Sequence, residues 1–437
     1  MRQDPIRQQS NRNKSEFWFE MQPGAPMGAR FLFCIKGDIV EVMAEMDLME
    51  KIVSLCKRKG FVYPSSESYG GFAGFWNYGH YGTILKENIK VAWKQHFIFD
   101  REDMFITDTT IISNPKVLEA SGHVANFGNE LFKTQVGTGE DAATSHLRAE
   151  TAQGIFVDFK QVVDAHHPKL PFGVGQTGKA FRNEISPRDF VFRSREFEQM
   201  EVEYFVKPVE WEQYFELWRK IMQSFAKGLG ISVHEFEVPA DDRAHYSKRT
   251  IDFQFDYPFG RGELWGLAYR TDFDLQNHRL DYLDEGNGER MVPHVIEPSL
   301  GVDRTLLAVL VSAYTEDELG GEKRVYLKFP PHLAPIKAAV FPLLKNKPEL
   351  VAKAREIYTA LKKDIPQIMW DDNGNVGKRY RRQDEIGTPY CITVDFDTLG
   401  ETPEMKDTVT VRDRDDGEQE RVALADLSEY LQKKIQA

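Results

Sequence analysis

Strand-like segments dominate the middle of this sequence, from about residue 104 to residue 311. Runs rich in Phe, Tyr, Val and Ile alternate there with turn sequences such as SPRD and EGNGE, which is typical of β-strands joined by short loops. One clear helix interrupts them, VEWEQYFELWRKIMQSFAKGLG, and it ends at Gly228 and Gly230. Strands grouped together, with helices kept apart, predict an α+β fold built on an antiparallel sheet with flanking helices.

The segment FRNEISPRDFVFRSREFEQMEVEYF, residues 181–205, alternates arginine and glutamate with phenylalanine. We expect an antiparallel hairpin with strands over 181–185 and 195–205, joined by SPRD. An ion-pair ladder on a solvated sheet face is the simplest explanation, but each exposed pair contributes only about 0–1 kcal/mol. Binding of a polyphosphate and an amino acid explains more, because arginine forks match phosphate oxygens, aromatic rings stack on bases and carboxylates hold an ammonium group.

A second segment, VIEPSLGVDRTLLAVLV at 295–311, reads as the end of a strand, a turn of small residues and an apolar helix. Arg304 falls in the first turn of that helix, where a positive charge opposes the helix dipole. It is therefore either an ordinary surface arginine or, if it points into the same cleft as Arg182, a second phosphate ligand beside the positive helix end.

Three further segments are weaker signals when each is taken alone. HLRAETAQGIF places Glu150 in a turn, where it could equally cap a helix. FGRGELWGLAYRTDFDL places Glu263 on a short strand whose flanking glycines allow close backbone approach. IISNPKVLEASGH places Pro115 between an extended run and the start of a helix.

Composition narrows the class of protein. The 437 residues suffice for two to three domains, and the net charge of −12 argues against broad non-specific binding of nucleic acid without excluding a local basic surface. The three cysteines, Cys34, Cys56 and Cys391, are too far apart for a CxxC metal site or a disulfide scaffold. No apolar run approaches the roughly 18 residues of a membrane span. We expect no zinc and no membrane partner.

The chain divides into three parts by pattern. Residues 1–45 begin with a polar, basic stretch without periodicity, and we expect a disordered leader or a misassigned start there. Residues 46–328 form the strand-rich domain. A proline-rich linker, with Pro330, Pro331 and Pro335, leads into a smaller α/β domain at 329–437 that carries the basic stretch GKRYRRQDE.

These segments together carry a family resemblance. FRNE with REFEQME resembles the second signature of class II aminoacyl-tRNA synthetases, GVDR the third, and the proline of ISNPKVLEASGH the first. The strings RAETAQGIF, GKAFRNEISPR, REFEQME, EPSLGVDR and GKRYRRQDEIGTP are similar to those of the dimeric glycyl-tRNA synthetases, over nearly the whole chain from about residue 47.

The resemblance implies a class II catalytic domain over 46–328 and an anticodon-binding domain over 329–437. It implies a cytoplasmic homodimer that serves translation by attaching glycine to tRNA(Gly) through a glycyl-adenylate, with ATP and Mg²⁺. No side-chain base is required, since the carboxylate of glycine is already a nucleophile. Because glycine is the smallest amino acid, steric exclusion alone can reject the others.

The resemblance also implies residue roles. Arg182 would hold the α-phosphate of ATP, Arg304 the γ-phosphate side, Phe197 the adenine and Glu263 the Mg²⁺. The ATP site would be lined by Arg182, Asn183, Glu184, Phe192, Arg193, Ser194, Arg195, Glu196, Phe197, Glu263, Leu264, Gly301, Val302, Asp303 and Arg304. The glycine site would be lined by Glu150, Phe197, Glu198, Gln199, Met200, Glu201, Glu297, Pro298, Ser299, Leu300 and Gly301. Pro115 would lie at the dimer interface, and the anticodon region would include Lys378, Arg379, Arg381 and Arg382.

Two departures and two alternatives accompany the resemblance. The family usually carries a long insertion after the ASGH string, which this compact chain lacks after Gly122, and a proline where this chain has Ala149. A synthetase-like accessory protein is one alternative, but such proteins lose the phosphate arginines, and Arg182 and Arg304 are both present. A prolyl, threonyl or histidyl enzyme is the other, and EPSLGVDR and REFEQME argue against it.

Overall fold

The computed structural model describes residues 30–35, 38–43, 47–124, 130–139 and 142–436. Most of the expected leader, residues 1–45, lies outside these ranges. Within them, β1 (Arg30–Ile35) and β2 (Asp38–Met43) pair as antiparallel strands, a hairpin that the sequence analysis did not predict. The chain separates into one compact unit up to Lys51 and a second from Ile52 onwards. Among the described helices, none is long and apolar enough to cross a membrane.

Short elements precede the central sheet. They are α1 (Leu48–Lys59), β3 (Val62–Pro64), β4 (Trp76–Tyr78), α2 (His80–Lys94), β5 (Met104–Ile106), β6 (Ile112–Ser113), α3 (Pro115–Ala120), β7 (Lys133–Val136) and β8 (Ala143–Leu147). The apolar spacing of LMEKIVSLCKRKGF and TILKENIKVAWKQHFIF predicts two helices, and α1 and α2 confirm them. Pro115 is the first residue of α3, a position where a proline costs no hydrogen bond, and the Asn114 side chain caps that helix. Strands β6, β8 and β7 form a small three-stranded sheet. In sequence, β6 precedes and the other two strands follow Gly122, the position after which we expect the long insertion to be missing.

The main domain continues through the strand-rich region. Its elements are α4 (Ala152–Val157), α5 (Phe159–His166), β9 (Phe172–Phe181), β10 (Glu196–Val206), α6 (Trp211–Gly228), β11 (His234–Glu237), β12 (Arg249–Tyr257), β13 (Gly260–Thr271), α7 (Phe273–Asn277), β14 (Tyr282–Asp284), β15 (Glu289–Met291), β16 (His294–Gly301), α8 (Val302–Ala313), β17 (Tyr314–Leu319) and β18 (Glu322–Leu327). Seven strands form one sheet in the order β11-β12-β13-β16-β10-β9-β5. Every pairing is antiparallel except that of β5 with β9, which confirms the expected α+β fold.

The predicted hairpin forms, but its first strand lies earlier than expected. β9 ends at Phe181, and the backbone N–H of Arg182 makes the last cross-strand hydrogen bond, to the Arg195 carbonyl. Beyond that point the backbone N–H of Asn183 donates to the Glu130 carbonyl at 2.8 Å. The prediction of a strand over 181–185 was therefore wrong, because this backbone hydrogen-bonds to a neighbouring loop instead of continuing the ladder.

The two faces of the sheet differ in chemistry. One face packs against α6 and α8, and α2 packs on α8. Helix α6 buries Phe215, Trp218, Met222 and Phe225 at helical spacing. The opposite face carries Glu201 and Glu203 of β10, since successive strand side chains alternate between faces. This alternation places a group of charged side chains on a sheet whose other side is a fixed apolar core.

The C-terminal part forms its own layer of sheet and helices. Its elements are β19 (Ala338–Pro342), α9 (Pro348–Asp364), β20 (Ile368–Trp370), α10 (Val376–Ile386), β21 (Tyr390–Val394), α11 (Phe396–Leu399), β22 (Thr408–Asp413), β23 (Gln419–Ala423) and α12 (Leu427–Gln436). The sheet order is β20-β19-β21-β22-β23, parallel among the first three strands and antiparallel thereafter. A hydrophobic core of its own lies between this sheet and α9 and α12, as expected for a small α/β domain.

Candidate active site

Two adjoining cavities open on the polar face of the central sheet. The first, of about 150 Å³, is lined by Arg182, Glu184, Val191, Phe192, Arg193, Ser194, Phe197, Glu198, Gln199, Glu263, Leu264, Trp265, Ser299, Gly301, Asp303 and Arg304. The second, of about 300 Å³, is lined by Glu150, Arg182, Gln199, Glu201, Val238, Asp242, Arg243, Ala244, Tyr246, Thr250, Asp252, Glu263, Gly266, Ala268, Glu297 and Ser299. Arg182, Gln199, Glu263 and Ser299 line both, so molecules bound in the two cavities would meet beside these residues.

Arg182 lies at the junction of the two cavities. Its Nε donates to the Ala149 carbonyl at 3.1 Å, and its guanidinium lies 5.4 Å from the centre of the Phe197 ring. The bond to the carbonyl fixes the guanidinium next to the turn that carries Glu150. Ala149 thus supplies its backbone carbonyl to the site.

Arg304 lies at the other end of the first cavity. Its Nε donates to the Phe192 carbonyl at 3.2 Å and its Nη1 to the Glu263 carbonyl at 3.1 Å. The Glu263 carboxylate is 3.2 Å away, and the guanidinium covers the Phe192 ring at 4.5 Å. The helix-start arginine therefore points into the same cleft as Arg182, which favours the phosphate-ligand interpretation over the surface one.

Asp303 and Glu198 border the first cavity, but their carboxylates are engaged on the helix side of the sheet. Asp303 accepts hydrogen bonds from Tyr78, from Lys86 at 2.9 Å and from the Glu198 backbone N–H at 2.6 Å. Glu198 pairs with Lys90 at 3.2 Å. These contacts join α2 to β10 and the start of α8, so they brace the cavity wall.

Several expected ATP-site residues belong to the loop after β9. Arg193 pairs with Glu184 at 2.8 Å. Arg195 donates to the Glu184 and Ala73 carbonyls, both at 3.0 Å, and so ties this loop to the Gly/aromatic loop at 70–75. Asn183, Arg195, Glu196 and Val302 do not line either cavity.

Glu201 lies centrally in the second cavity. It accepts hydrogen bonds from the Thr151 backbone N–H at 3.1 Å and the Ser299 hydroxyl at 2.7 Å, and the register places Ser299 directly opposite it on β16. Burial and the nearby charge of Glu150 raise the pKa of Glu201. The two carboxylates thus share one confined space in which a cation would be stabilised.

Glu150 faces the same space from the turn before α4. Its carboxylate is 3.3 Å from His123 Nε2 and accepts from Gln153 at 3.1 Å. Burial alone would raise the pKa of Glu150, but the His123 charge and hydrogen bond, with Arg270, bring it well below its usual range. Glu150 is therefore ionised at neutral pH.

Arg270 lies behind the wall of this cavity and holds Glu297, which lines it. It is 1% exposed, and it donates from Nε to Asp274 at 2.7 Å and from Nη1 to Glu297 at 2.8 Å. Its guanidinium stacks 3.8 Å from the centre of the Tyr246 ring. Burial, opposed by Arg270, raises the pKa of Glu297 to about 8.

Met200, Pro298 and Leu300 do not reach the cavities. They alternate along β10 and β16 with the glutamates and serine that do, and the register pairs Met200 with Leu300. All three are buried. The expectation that these three side chains line the glycine site was therefore wrong, because strand alternation turns them to the apolar face.

Sequence reasoning missed several residues of this site. His123, Gln153, Arg270, Asp274 and Tyr246 all lie beside the expected glutamates. One signal was available in RTDFDL, where Arg270 and Asp274 follow a largely apolar strand at a spacing of four residues. Nothing in a single sequence connects that segment to Glu150, more than 100 residues earlier.

The basic stretch of the C-terminal domain forms α10, beside a cavity of about 690 Å³. Lys378 is exposed, whereas Arg381 pairs with Glu322 at 3.1 Å and Arg382 with Asp371 at 2.8 Å. Arg379 is only 1% exposed, and its Nη1 and Nη2 donate to backbone carbonyls, those of Nη2 being at residues 372 and 374. Arg379 therefore supports the fold and does not belong to the exposed basic surface.

Comparisons with known proteins agree with this architecture. A family model for the class II tRNA synthetase core domain (G, H, P, S and T) matches residues 132–313, and one for the anticodon binding domain matches residues 337–434. The glycine–tRNA ligase of Clostridium acetobutylicum is 42% identical over 470 aligned residues, which cover 90% of this chain and all of that protein. The glycine–tRNA ligase of Thermus thermophilus is 39% identical over 89% of this chain and 99% of that protein. The chain therefore belongs to the glycine–tRNA ligase family of class II aminoacyl-tRNA synthetases.

Proposed function

We propose that this protein attaches glycine to tRNA(Gly) through a glycyl-adenylate, at the expense of ATP, and acts in translation in the cytoplasm. The observation that carries the proposal is the pair of adjoining cavities that meet at Arg182. One has arginines and an aromatic ring at its walls, and the other is lined by carboxylates. These are the chemistries that an adenine nucleotide and the ammonium group of an amino acid require.

Glycine would bind in the second cavity. Its ammonium group would lie among Glu150, Glu201 and Glu297, with the Ser299 hydroxyl as a further acceptor. Glu150 already carries a charge, and buried carboxylates attract a cation more strongly than exposed ones because little water screens them. The carboxylate of glycine would then face Arg182, at the junction with the nucleotide.

ATP would bind in the first cavity, with its adenine at Phe197 and its phosphates between Arg182 and Arg304. A carboxylate oxygen of glycine attacks the α-phosphorus, the bond from that phosphorus to the bridging oxygen breaks, and pyrophosphate leaves. Charge accumulates on the phosphate oxygens, where fixed guanidinium groups stabilise it. In the second step a terminal ribose hydroxyl of tRNA attacks the acyl carbon, and AMP leaves.

ATP would enter as its Mg²⁺ complex, and Glu263 is the residue that would hold the ion. Its carboxylate is half exposed, lies between the two cavities and has Asp252 on the neighbouring strand. Burial, with the charge of Glu263, raises the pKa of Asp252 to about 6. Oxygen ligands of this kind suit Mg²⁺, which would neutralise charge on the phosphates. The expectation of no zinc stays a prediction.

ATP–pyrophosphate exchange tests the proposed function directly. We expect exchange with glycine and at least about 100-fold slower exchange with alanine or serine, because an added side chain would have to enter a cavity lined by Tyr246 and Glu297. The assay measures labelled ATP formed from pyrophosphate with each of the twenty amino acids. Equal exchange with alanine would contradict the glycine assignment, and no exchange with any amino acid would favour a synthetase-like accessory protein.

We propose a homodimer with Pro115 at its interface, with the catalytic domain at 46–328 and the anticodon-binding domain at 329–437. Apolar side chains of Ile111 and Ile112 are partly exposed next to Pro115, which supports a contact surface there. Sedimentation velocity at micromolar concentration would detect the dimer, and a single monomeric species would contradict it.

The exposed face of α10 is the proposed anticodon contact. Replacing Lys378 by glutamate is expected to weaken tRNA(Gly) binding and to lower the salt dependence of log Kd by about one, because one phosphate contact is lost. Lys220→Glu on α6 has the same charge change on an exposed site of the other domain. Binding measured by filter retention at several salt concentrations should separate the two variants, and equal behaviour would remove Lys378 from the contact.

A further inference from the structure

Glu203 is a buried carboxyl group to which the proposed reaction assigns no role. It lies two residues beyond Glu201 on β10 and is 0% exposed. Among the residues that the structure describes, no donor reaches either of its carboxyl oxygens. An ionised carboxylate without any hydrogen bond in the protein interior is strongly disfavoured.

The strand register places Glu203 against a second carboxyl group. Glu201 pairs with Ser299 and Tyr204 with Ile296, so Glu203 lies opposite Glu297 on the same face. One carboxylate oxygen each of Glu201, Glu203 and Glu297 lies within 4.8 Å of the others. Two ionised carboxylates in directly opposite positions repel each other, and a shared proton removes that repulsion.

The neighbouring cation does not supply the missing partner. Arg270 uses Nε and Nη2 on Asp274 and Nη1 on Glu297, and none of its nitrogens reaches Glu203. Burial, with the charges of Glu297, Glu201 and Asp274, raises the pKa of Glu203 well above its usual value, against the opposing effect of Arg270. The titratable and charged groups that act on Glu203 are thus three carboxyls and one guanidinium.

We propose that Glu203 is a neutral carboxylic acid that shares its proton with Glu297 and so fixes the orientation of the Glu297 carboxylate toward glycine. Arg270 holds one Glu297 oxygen, and Glu203 would hold the carboxylate from the other strand. Glu203 is therefore a positioning residue, which acts on glycine through Glu297. This inference rests on the proposed function, because it concerns the pocket for the ammonium group.

Three variants separate this role from that of a charged ligand. Glu203→Gln keeps the shape and an N–H donor, and we expect the KM for glycine to rise less than about threefold. Glu203→Leu keeps the volume without a donor, and we expect a rise of about tenfold, the effect of one hydrogen bond to a charged group, with a smaller fall in kcat. Glu201→Gln removes a charge that binds the ammonium group of glycine. The KM for glycine should therefore rise more in Glu201→Gln than in Glu203→Gln or Glu203→Leu.

Infrared spectroscopy of the free protein gives a readout that does not depend on activity. The difference between wild type and Glu203→Gln should contain a carboxylic acid C=O band that shifts in D₂O. If the difference spectrum contains no such band, Glu203 is ionised and the proposal is overturned. The same conclusion follows if Glu203→Gln raises the KM for glycine as much as Glu201→Gln does. Failure of the wild type to exchange with glycine would instead contradict the proposed function, and the infrared result would still stand.

Discussion

Replacing Arg182 by alanine is expected to lower glycine-dependent ATP–pyrophosphate exchange by about 10²–10³-fold, the usual effect of removing one preorganised donor from a transition state. The guanidinium lies where both cavities meet, held by the Ala149 carbonyl at 3.1 Å. No other cation lines both cavities among the residues that the structure describes. Its loss would leave the charge that develops on the α-phosphate without a fixed partner.

The separate effects of Arg182→Ala on kcat and on KM show which step loses activity. A group that acts mainly on the transition state lowers kcat and kcat/KM together, and this is the result expected for Arg182→Ala. Arg182→Lys should recover little, since an ammonium group is not a planar fork. Arg261→Ala is the matched control, because Arg261 is an exposed arginine that pairs with Asp256 at 2.7 Å and lines neither cavity. Equal losses in Arg182→Ala and Arg261→Ala would contradict a special role for Arg182.

The central part of the fold could be predicted from the sequence because its patterns are local. Apolar spacing predicted α1, α2 and α6, and the alternation along residues 195–205 predicted the strand that carries Glu201. Family motifs then placed Arg182, Arg304 and Glu201 in one cleft, where the structure brings them together. Each of these features depends on a few neighbouring residues or on a string with a recognisable form.

The features of the fold and of the site that the sequence did not predict depend on contacts between distant segments. β9 ends at Phe181 because residue 183 bonds to Glu130, and no local pattern reports such a bond. Arg379 belongs to a basic run, yet the fold buries it against backbone carbonyls. Strings carried over whole from a family motif also included Met200 and Leu300, which strand alternation turns away from the site.

The charge balance of the glycine cavity explains why Arg270 should matter for folding as well as for binding. Five carboxyl groups lie around Arg270 and His123, namely Glu150, Glu201, Glu203, Glu297 and Asp274. Asp274 and Glu297 each hydrogen-bond to Arg270 directly. Burying these groups is tolerable only while that guanidinium is present.

Replacing Arg270 by methionine is therefore expected to lower the free energy of unfolding by about 3–5 kcal/mol, since it leaves buried carboxylates without their partner. Arg290→Met is the matched control. Arg290 pairs with Asp281 at 3.0 Å, but its side chain is 65% exposed, and exposed pairs contribute about 0–1 kcal/mol. Urea unfolding followed by fluorescence measures both changes, and equal changes would contradict the assigned role of Arg270.

The loss in Arg270→Met should also depend on pH, with a defined sign. Without the guanidinium, the folded-state pKa of Glu297 rises beyond the value of about 8 that it has beside Arg270. A carboxyl whose pKa is raised in the folded state favours folding when protonated, and that contribution is complete below its unfolded pKa and is lost as pH rises through the folded one. The destabilisation should therefore be larger at pH 9 than at pH 6. The opposite trend would mean that the pKa of Glu297 does not rise without Arg270, and that water or another cation reaches its carboxyl group.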